Sequence, residues 1–81
     1  MFWYGVGMEF DIVKNDSMVI RVEDTEYKGH RLVDVRVYFK PAGGDHFLPT
    51  RKGISIRRDL LGQVVDAMRQ LQEGVETGEA G

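Results

Sequence analysis

Arg36 and Tyr38 stand two residues apart in the stretch Arg31-Leu32-Val33-Asp34-Val35-Arg36-Val37-Tyr38-Phe39, and Arg51-Lys52-Gly53 follows across a loop. Guanidinium and ammonium groups hold phosphates without reading sequence, and aromatic rings stack on unpaired bases, each stacked base contributing about 1–3 kcal/mol. Side chains two apart on an extended strand share a face, so a strand here puts a cation beside a ring on one surface. That chemistry suits single-stranded nucleic acid. A second reading is open for the same residues: a solvated sheet face on which Arg36 pairs with Asp34 or another carboxylate. Catalysis finds no support, because Ser17 and Ser55 have no companion His and Asp in a recognisable order and no glycine-rich phosphate loop occurs. Asp45-His46 is too sparse for a metal site, which takes three or four convergent ligands. The residues therefore imply no enzyme, no metal and no cofactor.

The elements that must position these groups are legible from period and punctuation. Phe10 and Ile12 alternate with Glu9 and Asp11 ahead of an Asn15-Asp16 turn, which reads as a short strand. Residues 18–23 form a second candidate, with Met18, Ile20 and Val22 on one face. Lys28-Gly29 supplies a tight turn, since glycine takes positive φ without steric penalty, into the strand of residues 31–39. Val33, Val35 and Val37 lie on one face of that strand; Leu32, Asp34, Arg36 and Tyr38 lie on the other. Pro41-Ala42-Gly43-Gly44 ends it, and short strands are expected at Phe47-Leu48 and at residues 53–56, on either side of Pro49. From Arg58 the period becomes 3.6: Leu61, Val64, Val65, Met68 and Leu71 recur at three- and four-residue steps, an amphipathic helix with Asp59 in its first turn and Arg69 near its expected end.

Eighty-one residues make one domain, and a chain this short buries only about 60% of the surface its unfolded form exposes. There is no cysteine to staple it, so assembly into an oligomer is the expected remedy. No apolar run approaches the roughly 20 residues that span a bilayer, and the apolar start, residues 1–8, lacks the basic flank of a signal peptide, so a soluble, intracellular protein is expected. Formal net charge is −2, yet residues 21–58 carry nine Lys or Arg against five Asp or Glu, an excess of four cations. Glu73, Glu76 and Glu79 close the chain with no cation among them. The expected organisation is a domain at residues 1–72 and a disordered acidic tail at residues 73–81.

The order of these features resembles a known family. Tyr27-Lys28-Gly29, then Asp34-Val35-Arg36-Val37-Tyr38-Phe39, then Pro49-Thr50-Arg51-Lys52-Gly53-Ile54-Ser55-Ile56 and one helix, together resemble the single-stranded-DNA-binding domain of the transcriptional coactivator positive cofactor four, over about residues 18–72. The resemblance implies an α+β fold, a curved antiparallel sheet of four strands (five with the N-terminus) followed by one helix, paired into a homodimer through Leu61, Val64, Val65, Met68 and Leu71. It implies a nucleic-acid site at Tyr27, Lys28, Arg36, Tyr38, Phe39, Arg51 and Lys52, with Tyr27 and Phe39 at the family's stacking positions. Alternation alone places Phe39 with the valines, so a twist or bulge before Pro41 would have to turn it outward. His30 and Leu48 stand where the family has cations, Phe39 where it has tryptophan, and Asp24-Thr25-Glu26 where it has a cation ahead of the turn, so fewer contacts are expected. Phe2, Trp3 and Tyr4 are expected to pack as an added strand or cap rather than to extend the stacking surface.

The implied function is binding of single-stranded DNA with little sequence specificity, in transcription or in replication and repair. RNA binding by the same surface and a protein-interaction role toward a polymerase are the alternatives. The family's eukaryotic members carry a Ser- and Lys-rich region before this domain, so a bacterial or phage-type member is expected, placed in the cytoplasm at the nucleoid, or in the nucleus if eukaryotic.

Overall fold

The computed structural model describes residues 8–76. Four strands, β1 (Glu9–Asn15), β2 (Met18–Tyr27), β3 (His30–Phe39) and β4 (Leu48–Arg57), precede one helix, α1 (Arg58–Glu76). The strands pair antiparallel in sequence order, so that β1 and β4 are the edges of an open sheet. This is the expected α+β architecture. A fifth strand from Phe2, Trp3 and Tyr4 falls outside the described residues.

Register follows from alternation and turn chemistry. Lys28 (φ 51°) and Gly29 (φ 81°) are both left-handed, as a two-residue hairpin whose twist matches its strands requires. The ladder of β2 with β3 then runs unbroken from Tyr27–His30 to Met18–Phe39. At the other hairpin the Asn15 side chain accepts a hydrogen bond from the Ser17 amide at 3.0 Å, an Asx-type turn, and Lys14 is the extra residue of a bulge.

Three expectations are corrected. The segments either side of Pro49 are one ten-residue strand, which tolerates the proline because β4 is an edge. The helix continues through Glu76, so residues 73–76, assigned to the tail by composition, are helical, and residues 77–81 lie outside the described residues. Arg69 consequently sits inside the helix, and the last turn carries no cation. No helix among the described residues is long and apolar enough to cross a membrane.

The two faces of the sheet differ sharply. Phe10, Ile12, Ile20, Val22, Val33, Val35, Val37 and Ile54 share one face by register. The helix covers only part of it, approaching β3 and β4. Val19 and Ile56 are the only apolar residues that are buried among the described residues, and neither completely, whereas Phe10, Ile12 and Ile54 remain more than half exposed. On the helix Leu61 and Val64 are half-buried, and Val65, Met68 and Leu71 are exposed, Leu71 at 71%. The radius of gyration, 15.3 Å, exceeds the roughly 12 Å of a compact chain this long.

Candidate nucleic-acid interface

The face opposite the valines carries Arg21, Glu23, Asp34, Arg36 and Tyr38, and it is internally neutralised. Arg21 and Arg36 lie directly opposite each other on β2 and β3, a like-charge pairing that destabilises unless each is compensated. Each is. Arg21 donates to both carboxylate oxygens of Asp11, at 2.8 and 3.1 Å, with Glu9 3.9 Å away. Arg36 donates through Nε and Nη2 to Asp34, both at 3.0 Å, and through Nη1 to the Thr50 carbonyl at 3.0 Å. These are bidentate, charge-assisted pairs with planar geometry matched to the carboxylate. Asp34 also accepts from the Ser55 hydroxyl at 2.7 Å. Hydrogen bonds from Arg36 hold the Asp34 carboxyl below its ordinary range against the opposing effect of burial, and Asp34 in turn raises the Arg36 guanidinium.

Arg36 is therefore engaged within the protein on its own sheet face. All three of its guanidinium nitrogens are engaged and its side chain is only 22% exposed, so the pairing with Asp34 left open by the sequence is the arrangement found. Tyr38 is likewise occupied. Arg21 lies over its ring at 4.3 Å, its hydroxyl donates to Glu23 at 3.4 Å, and burial followed by Glu23 pushes its pKa up. Phe39 remains in register with Met18 and Leu48 on the valine side, because the β2–β3 ladder has no bulge to rotate it; it is 38% exposed.

The irregularity lies across from β3, on β4. Arg36 pairs with Gly53 and Tyr38 with Pro49, so Thr50, Arg51 and Lys52 all stand opposite the single residue Val37. The Thr50 hydroxyl closes the gap, donating to the Val37 carbonyl at 2.8 Å and accepting from the Lys52 amide at 3.2 Å. This bulge ends where β4 crowds β3: a Cβ on Gly53 would meet the Val35 carbonyl oxygen at 2.6 Å and Arg36 Cα at 2.8 Å. Glycine is thus required by close approach. Arg51 and Lys52 are exposed, with no carboxylate in ion-pair reach among the described residues.

Tyr27 and Lys28 sit at the other end of β3, at the hairpin. Tyr27 is 62% exposed, and the Lys28 ammonium lies 5.4 Å from its ring centroid. Seven residues of β3 separate His30, opposite Tyr27, from Val37, opposite the bulge, about 23 Å of strand. The structure thus brings Arg51 and Lys52 together, and Tyr27 and Lys28 together, but not the two groups to one point.

A model of the family described as Transcriptional Coactivator p15 (PC4) matches residues 14–67. The chain belongs to this family. Membership connects it with nucleic-acid binding and with transcription in a family of non-enzymatic coactivators. Among solved structures it is similar to a PC4 homolog from Burkholderia pseudomallei in its orthorhombic crystal form, at 39% identity and a TM-score of 0.73 over 88% of this chain and 96% of the homolog. The tetragonal form of the same homolog gives 38% identity and a TM-score of 0.72 over 82% and 97%. A comparison with curated proteins gave no significant match. The family match runs through the Tyr27-Lys28-Gly29 hairpin and the Arg51-Lys52-Gly53 bulge. The Thr50 contact of Arg36 and the basic pair Arg57-Arg58 escape a motif reading, because the former depends on the bulge in β4 and the latter on the absence of any loop between β4 and α1.

Proposed function

We propose that the protein binds single-stranded DNA with little sequence specificity, as a homodimer acting in transcription. The observation that carries the reading is the partition of cations. Arg21 and Arg36 are locked into ion pairs on the sheet face, while Lys28 at the β2–β3 hairpin and Arg51 and Lys52 in the β4 bulge have no carboxylate partner among the described residues. Exposed cations without partners are those that can release counterions from a phosphate backbone. Tyr27, largely exposed beside Lys28, offers a stacking ring; Phe39, at the bulge end, is the second, reached from the valine side. Asp34, Arg36 and Thr50 act indirectly by fixing the bulge.

The dimer is supported by what one chain leaves uncovered. A sheet face with Phe10, Ile12 and Ile54 more than half exposed, and a helix stripe with Val65, Met68 and Leu71 exposed, is far more apolar surface than a lone domain keeps in water. A two-fold pairing that covers this surface would also give two copies of each cationic end. Fluorescence anisotropy with single-stranded DNA, duplex DNA and RNA of one sequence, at two salt concentrations, tests the reading. Tightest binding to single-stranded DNA is expected, because splayed bases expose the faces a duplex hides. Equal affinity for duplex would refute stacking, and tighter binding to RNA would move the protein to the 2′-hydroxyl-reading class.

A further inference from the structure

Tyr27 stands between two depressions of opposite character. On one side an open depression of about 640 Å³ is lined by His30, Arg31, Arg57, Arg58 and Asp59 together with the tyrosine. On the other, a depression of about 550 Å³ is lined by Glu23, Glu26 and Asp34 with Tyr38 and the same tyrosine. Both volumes fall within the range of small-ligand sites. The first is lined by three arginines and one carboxylate, Asp59, and Asp24, outside the lining, pairs with two of the arginines. Arg57 pairs with Asp59 at 2.8 Å, while Arg31 and Arg58 share the one carboxylate of Asp24, at 3.0 and 3.1 Å. One guanidinium charge is therefore in excess. The pairs are exposed on the cationic side, Arg57 at 63%, Arg31 at 45% and Arg58 at 48%, and exposed ion pairs hold their partners only weakly. They contrast with Arg21 and Arg36, which are 18% and 22% exposed and locked.

We propose that the arginine-lined depression holds the backbone phosphate next to the base stacked on Tyr27, with Arg57 and Arg58 as its donors, and that the carboxylates across the ring exclude the strand from the opposite side. The inference rests on the single-strand reading and adds a third cationic station, at the junction of β4 and α1, and a direction: the strand leaves Tyr27 toward α1 and not along the face of Arg36 and Tyr38. A phosphate entering between Arg57 and Arg58 competes with Asp59 for the first and with Asp24, already shared by two arginines, for the second. Binding on the other side would bring it against Glu23, Glu26 and Asp34, of which Glu26 has no cationic partner among the described residues.

The test is anisotropy with one single-stranded oligonucleotide between 50 and 200 mM salt. It compares wild type, Arg57→Gln with Arg58→Gln, Asp59→Asn, Glu26→Gln and, as an independent reference, Lys52→Gln. Each single-strand phosphate contact contributes about 0.7 to the salt slope, which at 0.1 M is about fivefold in affinity. The double arginine variant should lose about 5- to 25-fold and flatten the slope by about 0.7–1.4. Asp59→Asn, which frees Arg57, and Glu26→Gln should each gain about two- to fivefold, and these gains hold the inference to account should the double variant fold poorly. If the arginine variant binds like wild type while Lys52→Gln weakens binding, the depression is not a phosphate site and the single-strand reading survives. If neither changes affinity, both are overturned.

Discussion

Two glycine-to-alanine substitutions should move stability in opposite directions. At Gly53 a Cβ would lie 2.6 Å from the Val35 carbonyl oxygen, where ordinary contact begins near 3.4 Å, so β3 and β4 must part by about 0.8 Å. A ladder bond stretched by that much from about 2.9 Å is no longer a hydrogen bond. Loss of one such bond, at about 1 kcal/mol, with overpacking of about 1–3 kcal/mol, gives roughly 2–4 kcal/mol of destabilisation. In a domain this small each kcal/mol shifts Tm by about 4–8 °C, so Gly53→Ala should melt roughly 8–32 °C lower. Gly62 is a helix-interior glycine around which a Cβ meets nothing within 4 Å, and Gly62→Ala should gain about 1 kcal/mol, or about 4–8 °C. Thermal melts followed by circular dichroism at one fixed protein concentration read both. A Gly53→Ala protein as stable as wild type would refute the claim that close approach of β4 to β3 fixes the bulge.

The remaining predictions concern acid stability and assembly. The Asp34 carboxyl has a folded-state pKa below its unfolded value of about 3.9, so the stability it contributes is present above that value and is lost as pH falls through the folded value. Urea midpoints should therefore separate wild type from Asp34→Asn at pH 7, and the gap should narrow as pH falls below the unfolded carboxylate range; a gap of constant size would show that the carboxylate charge is irrelevant. Met68 is 58% exposed in one chain, where an aspartate would cost little; if the helix stripe is the dimer seam, Met68→Asp buries a charge and should dissociate and unfold the protein together. Light scattering that finds wild type monomeric at micromolar concentration would contradict the seam.

The strands and the helix were legible because period-two and period-3.6 patterns are local, and the Lys28-Gly29 hairpin because the turn needs left-handed φ. What the sequence hid depends on register. Alternation places Asp34 beside Arg36 on one face and leaves its pairing open, but it does not reveal the bulge in β4 that brings the Thr50 carbonyl to the third guanidinium nitrogen. Pro49 suggested a break because a proline argues against a central strand, and only the sheet order makes β4 an edge that can hold it. Phe39 kept the face its alternation gave it, since the bulge fell on β4 rather than β3. The helix outran its expected end in spite of the stop signal that Gly74 offers, and a composition argument for disorder says nothing about one further turn.

The central claim is that Lys28, Arg51 and Lys52, without carboxylate partners among the described residues, and not the locked sheet arginines, meet the phosphates. The most direct measurement is the salt dependence of single-stranded DNA affinity for wild type and for a variant with Lys28, Arg51 and Lys52 all changed to Gln. About 0.7 per lost contact predicts a slope reduced by about 2 per chain, with wild-type melting behaviour retained because all three side chains are exposed. A folded triple variant whose salt slope matches that of wild type would contradict the account.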